Sequence, residues 1–267
     1  MQSLKSKMPR GITFLSDKCQ IHGVEMMEIR GQATCYKCGL EWEEAHLMNK
    51  VRDDYYRAKD REKYNMLERH SLLPDPSLKQ ATFETFVPQC SEEVANKELA
   101  LDCVRRIRGG DAFNVIFQGI QGTGKSHLAY SILKKLNETT DFKTSSLFVS
   151  IEDMLRKIKG SFSDKNSKYT EDYLVNLLSK PDYLVLDDLG AETGAIDSDK
   201  SATDFVQRIL YAITTYRQGK VTILTTNLSG KSLFKVYDQK LVSRLLNRPK
   251  YIVFKEAEDK RISNIPF

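Results

Sequence analysis

The stretch Gly119-Ile-Gln-Gly-Thr-Gly-Lys-Ser126 comes directly after an apolar run at residues 114–118. The pattern G-x-x-x-x-G-K-[ST] between a strand and a helix is a backbone cradle for phosphate, which ties the chain to a parallel sheet covered by helices. Gly119, Gly122 and Gly124 permit turns closed to other residues, so successive N–H groups converge on an anion. Lys125 supplies a point charge to the β- and γ-phosphates, and Ser126 supplies a hydroxyl to Mg²⁺. Residues 127–135 open a helix whose positive end faces the same anion. Thr123 and His127 complete the expected nucleotide-binding set.

Three further apolar strands are predicted at residues 146–150, 183–186 and 221–225, with helical patterns between them. The second of these runs into Asp187-Asp188, 62 residues after Lys125. Asp187 is expected to hold Mg²⁺ through water, and Asp188 stands where a general base activates the attacking water. Aspartate is a methylene shorter than glutamate at that position, so slow turnover is expected. The third strand ends in Asn227, placed to orient the attacking water or to touch the γ-phosphate. This ordered set of phosphate loop, acidic pair and strand-tip amide reads as an AAA+ ATPase with a minimal C-terminal lid. A small-metabolite kinase would carry an arginine-rich lid, whereas the arginines here come late, as Arg244, Arg248 and Arg261. Arg244 lies on a helical pattern and is expected to reach the ATP of a neighbouring subunit as an arginine finger, which makes the chain a homo-oligomer.

The N-terminal region carries different chemistry. Cys19-Gln-Ile-His22 is followed after twelve residues by Cys35-Tyr-Lys-Cys38. Two such pairs around a short excursion suit tetrahedral Zn²⁺, with four protein ligands and no open position for catalysis. Tight turns are expected at both pairs, relieved by Gly23 and Gly39, with a hairpin turning near Gly31. Cys90 and Cys103 read as ordinary thiols. From Glu41 to about His70 a long exposed helix is expected; Leu47, Val51 and Tyr55 mark a narrow apolar stripe that suits either a solvated connector or a docking surface. Leu73-Pro-Asp-Pro76 breaks it. The expected division is a zinc module at 1–45, a helical connector at 46–80 and an ATPase domain at 81–267. A net charge of +5 permits nucleic-acid contact without requiring it. The sequence lacks both a signal-peptide pattern and an apolar run of roughly 20 residues, so a cytoplasmic protein without membrane contact is expected.

From about Leu72 onward the chain resembles the bacterial replicative-helicase loaders of the DnaC/DnaI type and the related IstB transposition ATPases. The likeness rests on residues 119–128, on Leu184-Val-Leu-Asp-Asp-Leu-Gly-Ala-Glu192, on Thr225-Thr-Asn227, on Leu241-Val-Ser-Arg-Leu245 and on Tyr251-Ile-Val-Phe254. It implies ATP and Mg²⁺ at Gly122, Gly124, Lys125, Ser126, Asp187 and Asp188. It further implies a phosphate sensor at Asn227, a finger acting in trans at Arg244 and a second sensor at Arg261. The N-terminal Cys/His module resembles that of loaders from Gram-positive bacteria, where it contacts the hexameric replicative helicase. IstB-type proteins generally lack such a module. Residues 151–180 fall in the family's region for single-stranded DNA and offer Arg156, Lys157, Lys159, Lys165 and Lys168 with Phe162 and Tyr169. The alternatives are a transposition helper that assembles on DNA, or a zinc-dependent DNA-binding module with a vestigial nucleotide site.

Overall fold

A computed structural model describes residues 12–140, 143–193 and 201–261. Residues 262–267, to which the resemblance extends, lie outside them. The chain forms two compact units, 1–59 and 60–267.

In the first unit, β1 (Ile12–Lys18), β2 (Glu25–Ile29) and β3 (Gln32–Thr34) form an antiparallel sheet in that order. The β2–β3 hairpin turns at Arg30 and Gly31, both at positive φ (50° and 77°), as a two-residue turn matched to strand twist requires. The buried hydrophobic residues described in this unit are Cys19, Met27 and Cys35, too few for a core. Helix α1 (Tyr36–His70) starts five residues before the expected Glu41. Its first turn carries Cys38 and Gly39. The second metal pair is therefore set by helical i,i+3 spacing, and Gly39 relieves no turn strain; Gly23, at φ 65°, does. Leu47, Val51 and Tyr55 are all exposed.

The second unit takes in the last turns of α1, where Leu67 is buried in its core. The Asn137 amide donates to the Tyr64 carbonyl at 2.9 Å. Next come α2 (Ser91–Arg108), β4 (Asn114–Gly119), α3 (Lys125–Glu138), β5 (Ser146–Ser150), α4 (Ile151–Ser161), α5 (Glu171–Ser179) and β6 (Tyr183–Leu189). The order closes with α6 (Asp204–Tyr216), β7 (Val221–Thr226), α7 (Gly230–Val236), α8 (Gln239–Leu245) and β8 (Pro249–Phe254). All five strands run parallel in the order β5-β6-β7-β4-β8. Their side chains alternate between two apolar layers. Ile116, Leu147, Val149, Leu184, Leu186 and Leu224 face α4, α5, α6 and α8, whereas Val115, Phe117, Phe148, Val185 and Ile223 face α2 and α3. The expected four strands are present, and β8 adds a fifth that opens on Pro249-Lys250 before the apolar run Tyr251-Ile-Val-Phe254. The strand order reverses at β4, so the crevice beyond its C-terminal end is where a ligand is expected in an open α/β sheet. On the far edge, Leu72 exchanges backbone hydrogen bonds with Phe148 and Ser150 (2.9 and 3.0 Å), covering β5. Residues 151–180 form two helices with an irregular stretch between them.

Candidate nucleotide and metal sites

β4 delivers the phosphate loop into that crevice. Gly119, Gly122 and Gly124 all have positive φ (153°, 74° and 91°), so the loop needs glycine at each. Thr123 is fully buried and donates to the Ile120 carbonyl at 3.1 Å. Lys125 is 5% exposed, and its ammonium turns back onto the Ile120 carbonyl. Burial lowers its pKa to about 8 against the pull of Asp188 and Asp187. A buried cation with one carbonyl partner is well prepared for an anion.

The Ser126 hydroxyl donates to Asp187 Oδ1 at 2.8 Å, and Thr225 Oγ1 donates to the same oxygen at 2.6 Å. Asp187 is 4% exposed, and burial, followed by the neighbouring Asp188, pushes its pKa up to about 6. A hydroxyl and a desolvated carboxylate in contact form a hard oxygen donor set, which fits Mg²⁺. Asp188 sits at φ 59°, and the β6–β7 register shifts between Leu186 and Leu189. This irregularity holds Asp188 in a conformation that costs about 1–3 kcal/mol. Thr225 Oγ1 also accepts the Asp188 N–H at 2.8 Å, so one hydroxyl fixes both acids. The sequence reading gave Thr225 no role; its place just before the strand-tip amide was the available signal. Asn227 follows β7 with its Oδ1 buried and unpartnered. An orphaned amide oxygen at the tip of β7 fits a donating partner such as water.

The remaining expected residues separate. His127 was expected among the nucleotide ligands, but its Nε2 lies 2.9 Å from the Thr82 carbonyl and 3.1 Å from Thr85 Oγ1. Its ring meets Phe86 edge-on, and burial lowers its pKa. It therefore fixes the turn that sets Phe86 against Gly124. Arg261 is exposed, yet close enough to influence the charge on Lys125. Arg244 is not brought to this cluster. Its carbonyl and that of Leu245 lie 3.4 and 2.9 Å from the Asn114 amide nitrogen, at the opposite end of β4 from the phosphate loop. The six residues of β4 set its two ends roughly 17 Å apart. The Arg244 guanidinium lies 4.1 Å over the Tyr211 ring, with Nε buried and unpartnered.

Around α4, Arg156 pairs with Asp153, Lys157 and Lys168 stand 4.6 and 5.1 Å from the Tyr169 ring centre, and Phe162 is exposed. These cations beside aromatic rings suit stacking against bases.

In the first unit the ligand atoms of Cys19, His22, Cys35 and Cys38 all lie within 4.8 Å of one another. Cys19 Sγ is 3.7 Å from Cys38 Sγ, and His22 Nδ1 is 3.8, 3.7 and 3.3 Å from the sulfurs of Cys19, Cys35 and Cys38. A tetrahedron with Zn–S of about 2.3 Å and Zn–N of about 2.0 Å has edges of about 3.5–3.8 Å, so the donors fit Zn²⁺. With Nδ1 facing the sulfurs, His22 Nε2–H donates to Glu41 at 2.8 Å, the carboxylate partner that orients a zinc-binding imidazole. Sequence spacing alone gave no reason to choose Glu41.

The sequence profile of the IstB-like ATP binding protein family matches residues 25–254. The replicative helicase loader DnaC of Escherichia coli K12 is 27% identical over 182 residues, covering 67% of this chain and 69% of that protein. A putative ATP-binding protein of insertion sequence IS232 from Bacillus thuringiensis is 30% identical, covering 57% of this chain and 56% of that one. Among solved structures, a DnaC helicase loader covers 68% of this chain at a TM-score of 0.55 and 21% identity, a likeness of fold. Among the described residues, no helix is long and apolar enough to cross a membrane.

Proposed function

Because this chain belongs to the family of IstB-like ATP binding proteins, we propose that it is an AAA+ ATPase that loads a hexameric replicative helicase onto single-stranded DNA. The observation that carries the reading is the pairing of the Ser126–Asp187–Thr225 cluster with a four-donor Cys/His site, in a chain similar to DnaC over two-thirds of its length. In this reading residues 1–45 form a zinc module, 46–80 a connector and 81–267 the ATPase domain. The exposed apolar residues of α1, Trp42, Leu47, Met48, Val51 and Tyr55, supply the grip on the helicase. The protein acts in the cytoplasm, where helicase and DNA meet.

Lys125 and the loop amides bind the ATP phosphates, Ser126 and Asp187 hold Mg²⁺, and Mg²⁺ offsets the charge of the phosphates. Asp188 takes the proton of the attacking water, and Asn227 orients that water or senses the γ-phosphate. Arg244, remote from the phosphate loop of its own chain, completes the site of the next subunit, and Arg261 reads the nucleotide from the C-terminal side. The cations and rings around Phe162 and Tyr169 hold the single strand. A second reading, a transposition helper that assembles on duplex DNA, draws on the likeness to the IS232 protein.

A helicase assay on forked DNA with a protein-coated single strand tests the proposal. Unwinding should require this protein and ATP. An Arg244→Ala chain should bind ATP normally, fail to load, and lose about a thousandfold of the turnover that depends on assembly, the lower end for an arginine finger. Equal loading by the two chains contradicts the finger, and assembly on duplex DNA without loading favours the transposition helper.

A further inference from the structure

The segment after β8 brings a negative charge onto the phosphate loop. It is tied down on both sides. Glu92, in the first turn of α2, accepts the N–H groups of Lys255, Glu256 and Ala257 at 2.7, 2.9 and 3.1 Å. Glu93, fully buried, pairs with the Lys260 ammonium at 2.7 Å. That ammonium also donates to the Val87 carbonyl at 2.8 Å and stands 4.3 Å from the Phe86 ring centre. The Lys260 N–H donates to the Gly122 carbonyl at 3.2 Å.

Between these anchors Asp259 lies against Gly122. A Cβ on Gly122 would come within 1.7 Å of Asp259 Oδ1 and 2.7 Å of Oδ2, so the carboxylate fills the space above the middle glycine of the loop. Oδ1 accepts the Arg261 N–H at 2.9 Å, which fixes the carboxylate's direction. The loop's amides and Lys125 are arranged for an anion, and besides Asp188 and Asp187 the carboxylate that acts on the Lys125 charge is Asp259.

We propose that Asp259 is an internal competitor for the phosphate site, a residue that sets how tightly this protein holds ATP. The triphosphate and the Asp259 carboxylate repel, so binding requires the side chain to swing off Gly122, while Glu92 and Glu93 keep the segment in place. This inference rests on reading the loop as the ATP site. Asp259→Asn is the informative change, because an amide oxygen still accepts the Arg261 N–H while the charge is gone.

ATP titration of the full-length protein, in excess Mg²⁺ and over a range of salt, tests it against Asp259→Asn and Lys125→Ala. Asp259→Asn should bind ATP about tenfold tighter at low salt, the effect of one unit charge near the phosphates at an intermediate dielectric. The gap should close toward 1 M salt, where screening shortens to about 3 Å. An unchanged or weaker affinity in Asp259→Asn, with the wild-type chain binding normally, overturns the role of Asp259 and leaves the ATP site standing. Failure of both folded chains to bind ATP overturns the reading of the site itself. A residue that merely braces the turn would lower affinity and melting temperature together, with no dependence on salt.

Discussion

Replacing Lys125 with alanine is expected to lower ATP affinity at least about a hundredfold, the largest loss of nucleotide binding expected from a single side chain. Two charge-assisted hydrogen bonds to phosphate, at about 1.5–3 kcal/mol each, account for that magnitude. The electrostatic surroundings add to it. Lys125 is the buried cation set against Asp187 and Asp188, and both acids act to keep it charged. Without it, two carboxylates face the phosphates uncompensated, and Asp187, already pushed up to about 6 by burial and by Asp188, moves further in that direction. Calorimetric titration with ATP measures the loss, and a melting curve checks that the variant still folds. An affinity within tenfold of the wild type would place the phosphates somewhere other than this loop.

Removing zinc is expected to unfold the first unit and leave the second intact. The first unit buries Cys19, Met27 and Cys35 among its described apolar residues, and two of those three belong to the Cys/His cluster. So small a core cannot offset the entropy of ordering β1–β3, whereas a structural zinc contributes about 10–16 kcal/mol to modules of this size. Region-resolved hydrogen exchange before and after chelation reads the outcome. Protection should vanish across β1–β3 and the first turn of α1, and persist in the central sheet. Glu41→Gln should weaken zinc binding by about tenfold to a hundredfold, because His22 loses the carboxylate that orients it. Unchanged protection after chelation would make the cysteines ordinary thiols.

The parts of this protein that could be read in its sequence are those whose geometry is set by neighbours along the chain. The phosphate loop is one. The run of apolar residues into Asp187-Asp188 is another, since a buried parallel strand with acids at its tip needs only local pattern. The metal ligands followed from i,i+3 spacing, although the second pair is held by a helix start and not by the expected turn. What stayed hidden depends on contacts between distant residues. Thr225 serves both acids only because β7 lies beside β6 with a shift in register. The His127 ring is held by Thr82 and Thr85, more than forty positions earlier, a contact that no local pattern announces. Strand β8 pairs with β4 along its whole length, from Asn114↔Pro249 to Gly119↔Phe254; its apolar run Tyr251-Ile-Val-Phe254 is local, but its place at the edge beside β4 is not. Arg244 was legible as an arginine on a helix, but its distance from the phosphate loop of its own chain is a property of the sheet. Asp259, in a polar C-terminal stretch, has no local feature that places it on Gly122.

We propose that a nucleotide-binding domain and a zinc module act together on a ring helicase. The most direct test is the light-scattering mass of the full-length protein mixed with the hexameric replicative helicase of its own organism, with and without ATP. A discrete complex that is lost when residues 1–59 are deleted is the expected result. The absence of a complex under either condition would contradict the loader function and favour an ATPase that assembles on DNA for transposition.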